Sequence, residues 1–276
     1  MTDPGALVDL PLDPLLEVAL QIAREAGALL ADGRAHVTVA ATKSSPTDVV
    51  TAMDKSSEAL IVSRLAELRP GDGLLAEEGS ARASTTGIEW VVDPLDGTVN
   101  YLYGVPFWSV SIAARRTEAP AGESLIGVVH APVLGMTWIG AHGRGASRDG
   151  TALRGSNATA LEQALVGTGF GYDAARRARQ AEILRRVLPR VRDIRRLGSA
   201  AIDMCLTAEG ILDVYYEQGL KPWDRAAGTL IAREAGLTVA GLDGVAPGES
   251  LTIAAPAALF APLAALLAEE PRADGE

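Results

Sequence analysis

One stretch constrains this chain more than any other: Trp90-Val91-Val92-Asp93-Pro94-Leu95-Asp96-Gly97-Thr98-Val99-Asn100. An apolar strand runs into two carboxylates three residues apart. A proline stiffens the turn between them, and a glycine and a hydroxyl follow at once. A turn after a buried strand holds oxygen ligands in place, and hard divalent cations want oxygen ligands. Such a site can bind magnesium and activate water against a phosphate ester. The plain alternative is loop chemistry, an Asp-Pro turn followed by an Asp-Gly turn.

The spacing excludes two other acidic sites. An EF-hand alternates its acids one residue apart and closes with a downstream Glu; here two residues separate Asp93 from Asp96 and no Glu closes the loop. Haloacid-dehalogenase phosphatases carry Asp-x-Asp, which this gap does not match. Two distant segments add weight to a metal site. Glu77-Glu78 follow the apolar run Leu74-Leu75-Ala76, and Lys221-Pro222-Trp223-Asp224-Arg225-Ala226-Ala227-Gly228 opens a helical pattern with an acid at its start. Taken singly, the glutamates read as a solvated loop and Asp224 as a helix N-cap.

Taken together, these segments resemble the inositol monophosphatase family, lithium-sensitive and magnesium-dependent phosphatases. The family's Asp-Pro-x-Asp-Gly-Thr-x-Asn turn stands at Trp90 to Asn100, and its Trp-Asp-x-Ala-Ala-Gly turn at Trp223 to Gly228. The likeness continues in Lys43 to Asp54, in Gly198-Ser199-Ala200-Ala201-Ile202-Asp203-Met204-Cys205-Leu206 and in Tyr215-Tyr216-Glu217-Gln218-Gly219, in the family's order from about Pro14 to about Ala268.

The resemblance implies roles. Glu77, Asp93 and the Leu95 carbonyl would hold one magnesium ion. Asp93, Asp96 and Asp224 would hold a second, with Asp93 as the bridge and Glu77 helping a third, weaker ion. The nucleophile would be a metal-bound water touched by Thr98, itself backed by Asp48, so Asp48, Thr98 and Glu77 form the expected catalytic set. The amides of Gly97 and Thr98 would bind phosphate oxygens, as glycine lets backbone approach an anion closely. Glu217 and the Ala200 backbone would contact the polyol, with Asp96 and Asp224 also facing the substrate. Thr51 and Asp54 read as a helix N-terminal signature and stay outside that set. Lys43 would steer phosphate or simply be solvated. The chain departs from the family at Gly167-Thr168-Gly169-Phe170-Gly171, where some members place a polar group near the substrate.

Composition sets limits. The chain has 276 residues, 48% of them apolar but only 4% aromatic, so Ala, Leu and Val must fill the core. Its 35 acids against 25 Lys and Arg give a net charge of −10, which argues against sequence-independent binding to nucleic acid or an anionic membrane. Bound magnesium reverses that sign locally, so a phosphate substrate remains compatible. The single cysteine, Cys205, lies in an apolar helical pattern, and Ile211 stands where a cysteine phosphatase needs Arg. His36, His130 and His142 fall outside every motif, against a histidine phosphatase. No basic leader precedes Arg24, and a cytoplasmic location is expected. Leu251 to Ala268 has the length of a membrane span, but Pro256 and Pro262 break it, so a strand and a terminal helix are expected.

The expected organisation is a loose leader (1–13), an α+β metal-binding half (14–155), an α/β half completing the site (156–268) and a flexible tail (269–276). This is the layered αβαβα sandwich the resemblance implies. Asp13-Pro14 starts a first helix, and Asp149-Gly150 marks a hairpin. Nine arginines between 176 and 196 could form a nucleic-acid patch, but at helical spacing they read as a solvated face or subunit contact. The expected activity is hydrolysis of a small phosphate monoester, myo-inositol 1-phosphate first, by a homodimer. Fructose 1,6-bisphosphate, 3′-phosphoadenosine 5′-phosphate and histidinol phosphate are alternative substrates. An RNA- or protein-binding role through the Arg-rich segment, or a non-catalytic metal scaffold, would be a different class.

Overall fold

The computed structural model describes residues 12–36, 39–42, 49–118 and 123–268. Helix α1 (Leu12–Gly33) buries Leu15, Ala19, Ile22, Ala26 and Leu30 on one face, the 3-4 spacing of an amphipathic helix. It begins one residue before Asp13, within the expected leader. A short ribbon of β1 (Val39–Thr42) and β2 (Val49–Thr51) leads into α2 (Ala52–Leu68).

Eight strands then build one sheet: β3 (Gly73–Ala76), β4 (Ala81–Arg82), β5 (Ile88–Asp96), β6 (Ser109–Arg116), β7 (Ile126–Ala131), β8 (Met136–Ala141), β9 (Gly145–Arg148) and β10 (Thr151–Ala152). The short helix α3 (Thr98–Tyr103) lies between β5 and β6. The order is β10-β9-β8-β7-β6-β5-β3-β4, with β3 parallel to β5. Asp149 and Gly150, both left-handed, turn β9 into β10 as expected.

The second half alternates. It contains β11 (Leu165–Thr168), α4 (Ala174–Val187), β12 (Asp193–Arg195), α5 (Ala200–Glu209), β13 (Val214–Glu217), α6 (Pro222–Glu234), β14 (Thr238–Ala240), β15 (Thr252–Ala255) and α7 (Ala257–Ala268). Its sheet runs β12-β11-β13-β15-β14, with β11 parallel to β12 and β13. Leu251 to Ala268 thus divides into a strand and a helix, and no described helix is long and apolar enough to cross a membrane.

Three apolar clusters define the layers. Trp90, Val92 and Ile112 face α1 and α2. Val91, Ala113 and Val129, from the opposite face of the same strands, pack against α5 and α6. The far face of the five-stranded sheet, through Val166, Val214 and Ile253, is covered by Leu259, Leu263 and Leu266 of α7. Strand β5 is therefore buried on both sides, which explains its unbroken apolar run. The result is an αβαβα sandwich. Its middle helical layer belongs to both halves, because α6 lies on the first sheet closely enough that a Cβ at Gly127 would fall 2.9 Å from the Ala227 backbone.

The turn expected between Asp93 and Asp96 is a bulge within β5. Asp93 pairs with Ser111 and Asp96 with Ser109, so one strand carries an extra residue there. A bulge bends the strand and re-aims its side chains, and it tolerates a proline that cannot donate to the ladder. Ser57 of α2 donates to the Pro94 carbonyl at 2.8 Å and pins the bulge from behind.

Candidate active site

The bulge opens onto a cavity of about 500 Å³ between the two sheets. Glu77, Asp93, Asp96 and Asp224 line it, as do Leu95, Gly97 and Thr98. Ala200 and Glu217, from the second half of the chain, belong to the same lining. Residues far apart in sequence, singled out by the family resemblance, therefore share one cavity. Asp48 and Lys43 lie outside the described residues.

Each carboxylate is positioned by backbone. Glu77 follows β3 directly, and its amide donates to the Val92 carbonyl at 3.2 Å. The turn beyond it is tied down by buried Glu58, which accepts from the amides of Glu78 (2.7 Å) and Ser80 (3.0 Å). Asp93 accepts from the Leu95 amide at 3.0 Å. Asp96 meets the first turn of α5, accepting from Ser199 Oγ at 2.5 Å and the Ala201 amide at 2.8 Å. Asp224 is the third residue of α6 rather than its N-cap, and accepts from the Lys221 amide at 2.6 Å.

The electrostatics are those of crowded acids. Burial raises the Asp93 carboxyl well above its ordinary value, and the charges of Glu77, Asp96 and Asp224 push it further. Asp224 is raised well above the ordinary range too, by burial first and then by Glu77 and Asp96. Burial takes Asp96 up to about 6 although the α5 hydrogen bonds oppose it. A cation is the direct way to relieve such a cluster.

The donors are oxygen only, carboxylates plus the Leu95 carbonyl, which fits a hard divalent ion rather than a soft one. As placed, no three His, Cys, Asp or Glu side chains among the described residues converge tightly enough to hold one ion. Asp93, Asp96 and Asp224 are engaged with protein donors instead, but a carboxylate has about four acceptor sites, which leaves capacity for a metal. On the chemistry of the donor set, the residues fit a magnesium-type ion.

Thr98 stands at the start of α3 and donates to Asp54 Oδ1 at 2.9 Å, with the Leu95 carbonyl at 3.1 Å. Asp54 Oδ2 accepts from the Thr51 hydroxyl at 2.5 Å and the Thr51 amide at 2.8 Å. The helix signature at Thr51 and Asp54 is thus real, with the capping box formed. It also does a second job, since the carboxylate seen holding Thr98 is Asp54, where Asp48 was expected. Burial raises the Asp54 carboxyl above its ordinary value.

Between bulge and helix, Gly97 adopts φ +90°, and a Cβ there would fall 2.8 Å from the Phe107 carbonyl. Only glycine fits. Asn100 crosses to the other half, donating to the carbonyls of Phe107 (2.6 Å) and Leu197 (2.7 Å).

On the polyol side, Glu217 accepts from Tyr215 Oη at 2.6 Å. Burial carries the Glu217 carboxyl up to about 7. Gly169 of the Gly167 to Gly171 segment makes room for it, since a Cβ there would lie 2.0 Å from Glu217 Oε2. That departure from the family pattern therefore seats the glutamate. The Ala200 amide is directed to Asp96.

The Inositol monophosphatase family model matches residues 11–272. The chain belongs to the inositol monophosphatase family. It is 44% identical over 244 residues to an inositol-1-monophosphatase SuhB of Mycobacterium tuberculosis, covering 82% of this chain and 83% of that one. It is 36% identical over 236 residues to the Nus factor SuhB of Escherichia coli, covering 84% and 87%. Among solved structures, the extragenic suppressor protein suhB of Bartonella henselae superposes with a TM-score of 0.86 at 31% identity, over 92% of this chain and 98% of that one. Membership makes the protein a phosphatase acting on phosphate monoesters.

Proposed function

We propose that the protein hydrolyses myo-inositol 1-phosphate to myo-inositol and phosphate with magnesium as cofactor. The observation that carries this reading is the meeting in one cavity of the acidic cluster with Thr98, whose hydroxyl is held from behind by Asp54. Glu77, Asp93, the Leu95 carbonyl, Asp96 and Asp224 would hold the metal. Magnesium would lower the pKa of water and offset the phosphate's charge.

The chain's own residues supply the rest. Thr98 Oγ1 donates a hydrogen bond to Asp54, which leaves its lone pairs to accept from an attacking water and orient it towards phosphorus. Asp54, raised by burial, is a better proton acceptor than an ordinary carboxylate. The amides opening α3 lack partners within the helix and are suited to phosphate oxygens. Glu217, held by Tyr215, accepts a ring hydroxyl and orients the alcohol.

Three of the nine arginines of the Arg-rich segment are engaged elsewhere. Arg185 pairs with Glu182, Arg195 with Asp193, and Arg192 donates to the Gln163 carbonyl. This favours the phosphatase reading over a nucleic-acid patch. A phosphate-release screen in magnesium over myo-inositol 1-phosphate, fructose 1,6-bisphosphate, 3′-phosphoadenosine 5′-phosphate and histidinol phosphate tests it. The inositol ester should give the highest kcat/KM. A tenfold preference for another ester would replace the substrate, and no release from any would remove the reading.

A further inference from the structure

Helix α5 carries an acid that the chemistry above leaves unused. Asp203 is 1% exposed, and its Oδ1 has no hydrogen-bond partner among the described residues. An ionised carboxylate is costly to bury without donors, and such a group keeps its proton instead. The direction of its titration agrees. Burial first, then the charges of Glu217 and Asp96, push the Asp203 carboxyl well above the ordinary carboxylate range, against the pull of Arg196.

The fold gives that proton a use. Strand β11 pairs with β13 so that Gly167 lies opposite Tyr215 and Thr168 opposite Tyr216. Residues two apart on a strand share a face, so Gly167, Gly169, Tyr215 and Glu217 belong to one face. It is the face turned to α5, since Tyr215 packs in one cluster with Ala201, Ile202 and Met204. The two glycines leave the space above them to acids. A Cβ at Gly167 would lie 3.6 Å from Asp203 Oδ1 and 3.2 Å from Tyr215 Cδ2, and one at Gly169 would collide with the Glu217 carboxylate. Asp203, Tyr215 and Glu217 thus form a row, with the Tyr215 hydroxyl donating to Glu217 at 2.6 Å. Burial first, then both acids, hold the Tyr215 phenol well above its ordinary value, so it stays a donor. Glu217 lines the cavity and Asp203 stands behind it. The other charges that face this row are Asp96 from β5, Asp224 from α6 and Arg196 after β12.

We propose that Asp203 is a positioning residue for alcohol recognition: it is the neutral acid of a buried pair, leaves the pair's single negative charge on Glu217, and supports that charge from behind with its O–H. This rests on the reading of Glu217 as the acceptor for a ring hydroxyl. Two neighbouring carboxyls in a dry site do not both ionise cheaply, and a neutral acid can donate where a carboxylate only accepts. Two other arrangements make different predictions: both acids ionised, or Asp203 as packing alone.

The test follows the ratio of kcat/KM for myo-inositol 1-phosphate to that for glycerol 2-phosphate against pH, in magnesium, in the full chain and in Asp203→Asn and Asp203→Leu. In the wild type the ratio falls through about 7, with Glu217. Asparagine is neutral and keeps a donor, so the midpoint and the level above it should match the wild type. Leucine has no donor, so the midpoint should rise by about one unit and the ratio at pH 7 should drop about fivefold. A midpoint lowered by about one unit in Asp203→Asn would mean that a charge had been removed, and would overturn the proposal. A Leu variant that matches the wild type would overturn it too, leaving Asp203 as packing. Infrared difference spectra of wild type against Asp203→Asn, in magnesium at pH 7, read the charge without turnover. The proposal predicts loss of a carboxylic-acid C=O band, and loss of a carboxylate band instead would overturn it. Any of these results leaves the phosphatase reading intact. Failure to hydrolyse either ester would remove that reading, and the positioning role with it. Circular dichroism separates these results from misfolding, and Asp203→Ala, which also lacks a donor, serves if the Leu variant does not fold.

Discussion

Glu217→Gln tests how the alcohol is recognised. Burial holds the Glu217 carboxyl at about 7, with the Tyr215 hydroxyl pulling the other way and losing. An acid so raised is ionised above that value and carries a proton below it. The ionised form accepts the ring hydroxyl in a charge-assisted bond, worth about 1–3 kcal/mol more than its loss leaves behind. That corresponds to roughly ten- to a hundredfold in kcat/KM. The ratio of kcat/KM for myo-inositol 1-phosphate to that for glycerol 2-phosphate cancels groups serving both substrates, including the metal ligands. In the wild type the ratio should be flat above about pH 8 and fall as pH drops through about 7, the value for Glu217. It should level off where Glu217 is protonated, near the value of the Gln variant. In Glu217→Gln the ratio should stay at that lower level at every pH. A ratio independent of pH in the wild type would refute the reasoning. Equal losses on both substrates would also refute it, placing Glu217 with the phosphate chemistry or the fold.

Three further outcomes follow from the cluster. Asp96→Asn and Asp224→Asn should each lower turnover at least a hundredfold while keeping the fold, read by circular dichroism; unfolding of both would make these acids structural. In chelated protein Asp96→Asn should melt higher at pH 8 and not at pH 5. An acid raised from 3.8 to about 6 stabilises the fold below its unfolded value and loses that contribution as pH rises through the folded one. The shift of about two units is worth about 3 kcal/mol, less about 1 kcal/mol for each weakened bond from Ser199 and Ala201, so the gain is a few degrees at most. A lower melting temperature at pH 8 would contradict it. Thr98→Val and Asp54→Asn should be strongly non-additive in kcat, the double variant losing little more than the worse single one; additive losses would separate the two residues.

Much of this arrangement is legible from residue type and spacing. The strand into Asp93, the hairpin at Asp149-Gly150 and the helix from Pro222 follow from local pattern, and local pattern is what single-sequence reasoning sees. The shared cavity of Glu77, Asp93, Asp96, Asp224 and Glu217 came from resemblance, since nothing in spacing alone brings residue 77 to residue 224. What stayed hidden involves two jobs for one group. In sequence Asp54 is fully accounted for as a helix-start acid, and nothing local marks its second oxygen as the acceptor for Thr98. Its burial, 1% exposed where a capping acid is ordinarily wet, is the structural sign of the Thr98 bond. The bulge was read as a turn because Asp-Pro-x-Asp-Gly fits both, and only the register against Ser109 and Ser111 separates them. Glu58 and Ser199 act across long sequence gaps on backbone or on another acid, and carry no motif of their own.

The central claim is that the buried acids exist to hold a divalent cation that phosphate hydrolysis requires. Phosphate release from myo-inositol 1-phosphate should be measured on exhaustively chelated protein, then after adding back magnesium, and then calcium. The account predicts no release without metal and full recovery with magnesium. Calcium, whose longer bonds and looser geometry suit in-line attack poorly, should inhibit. Undiminished release from the chelated protein would contradict it.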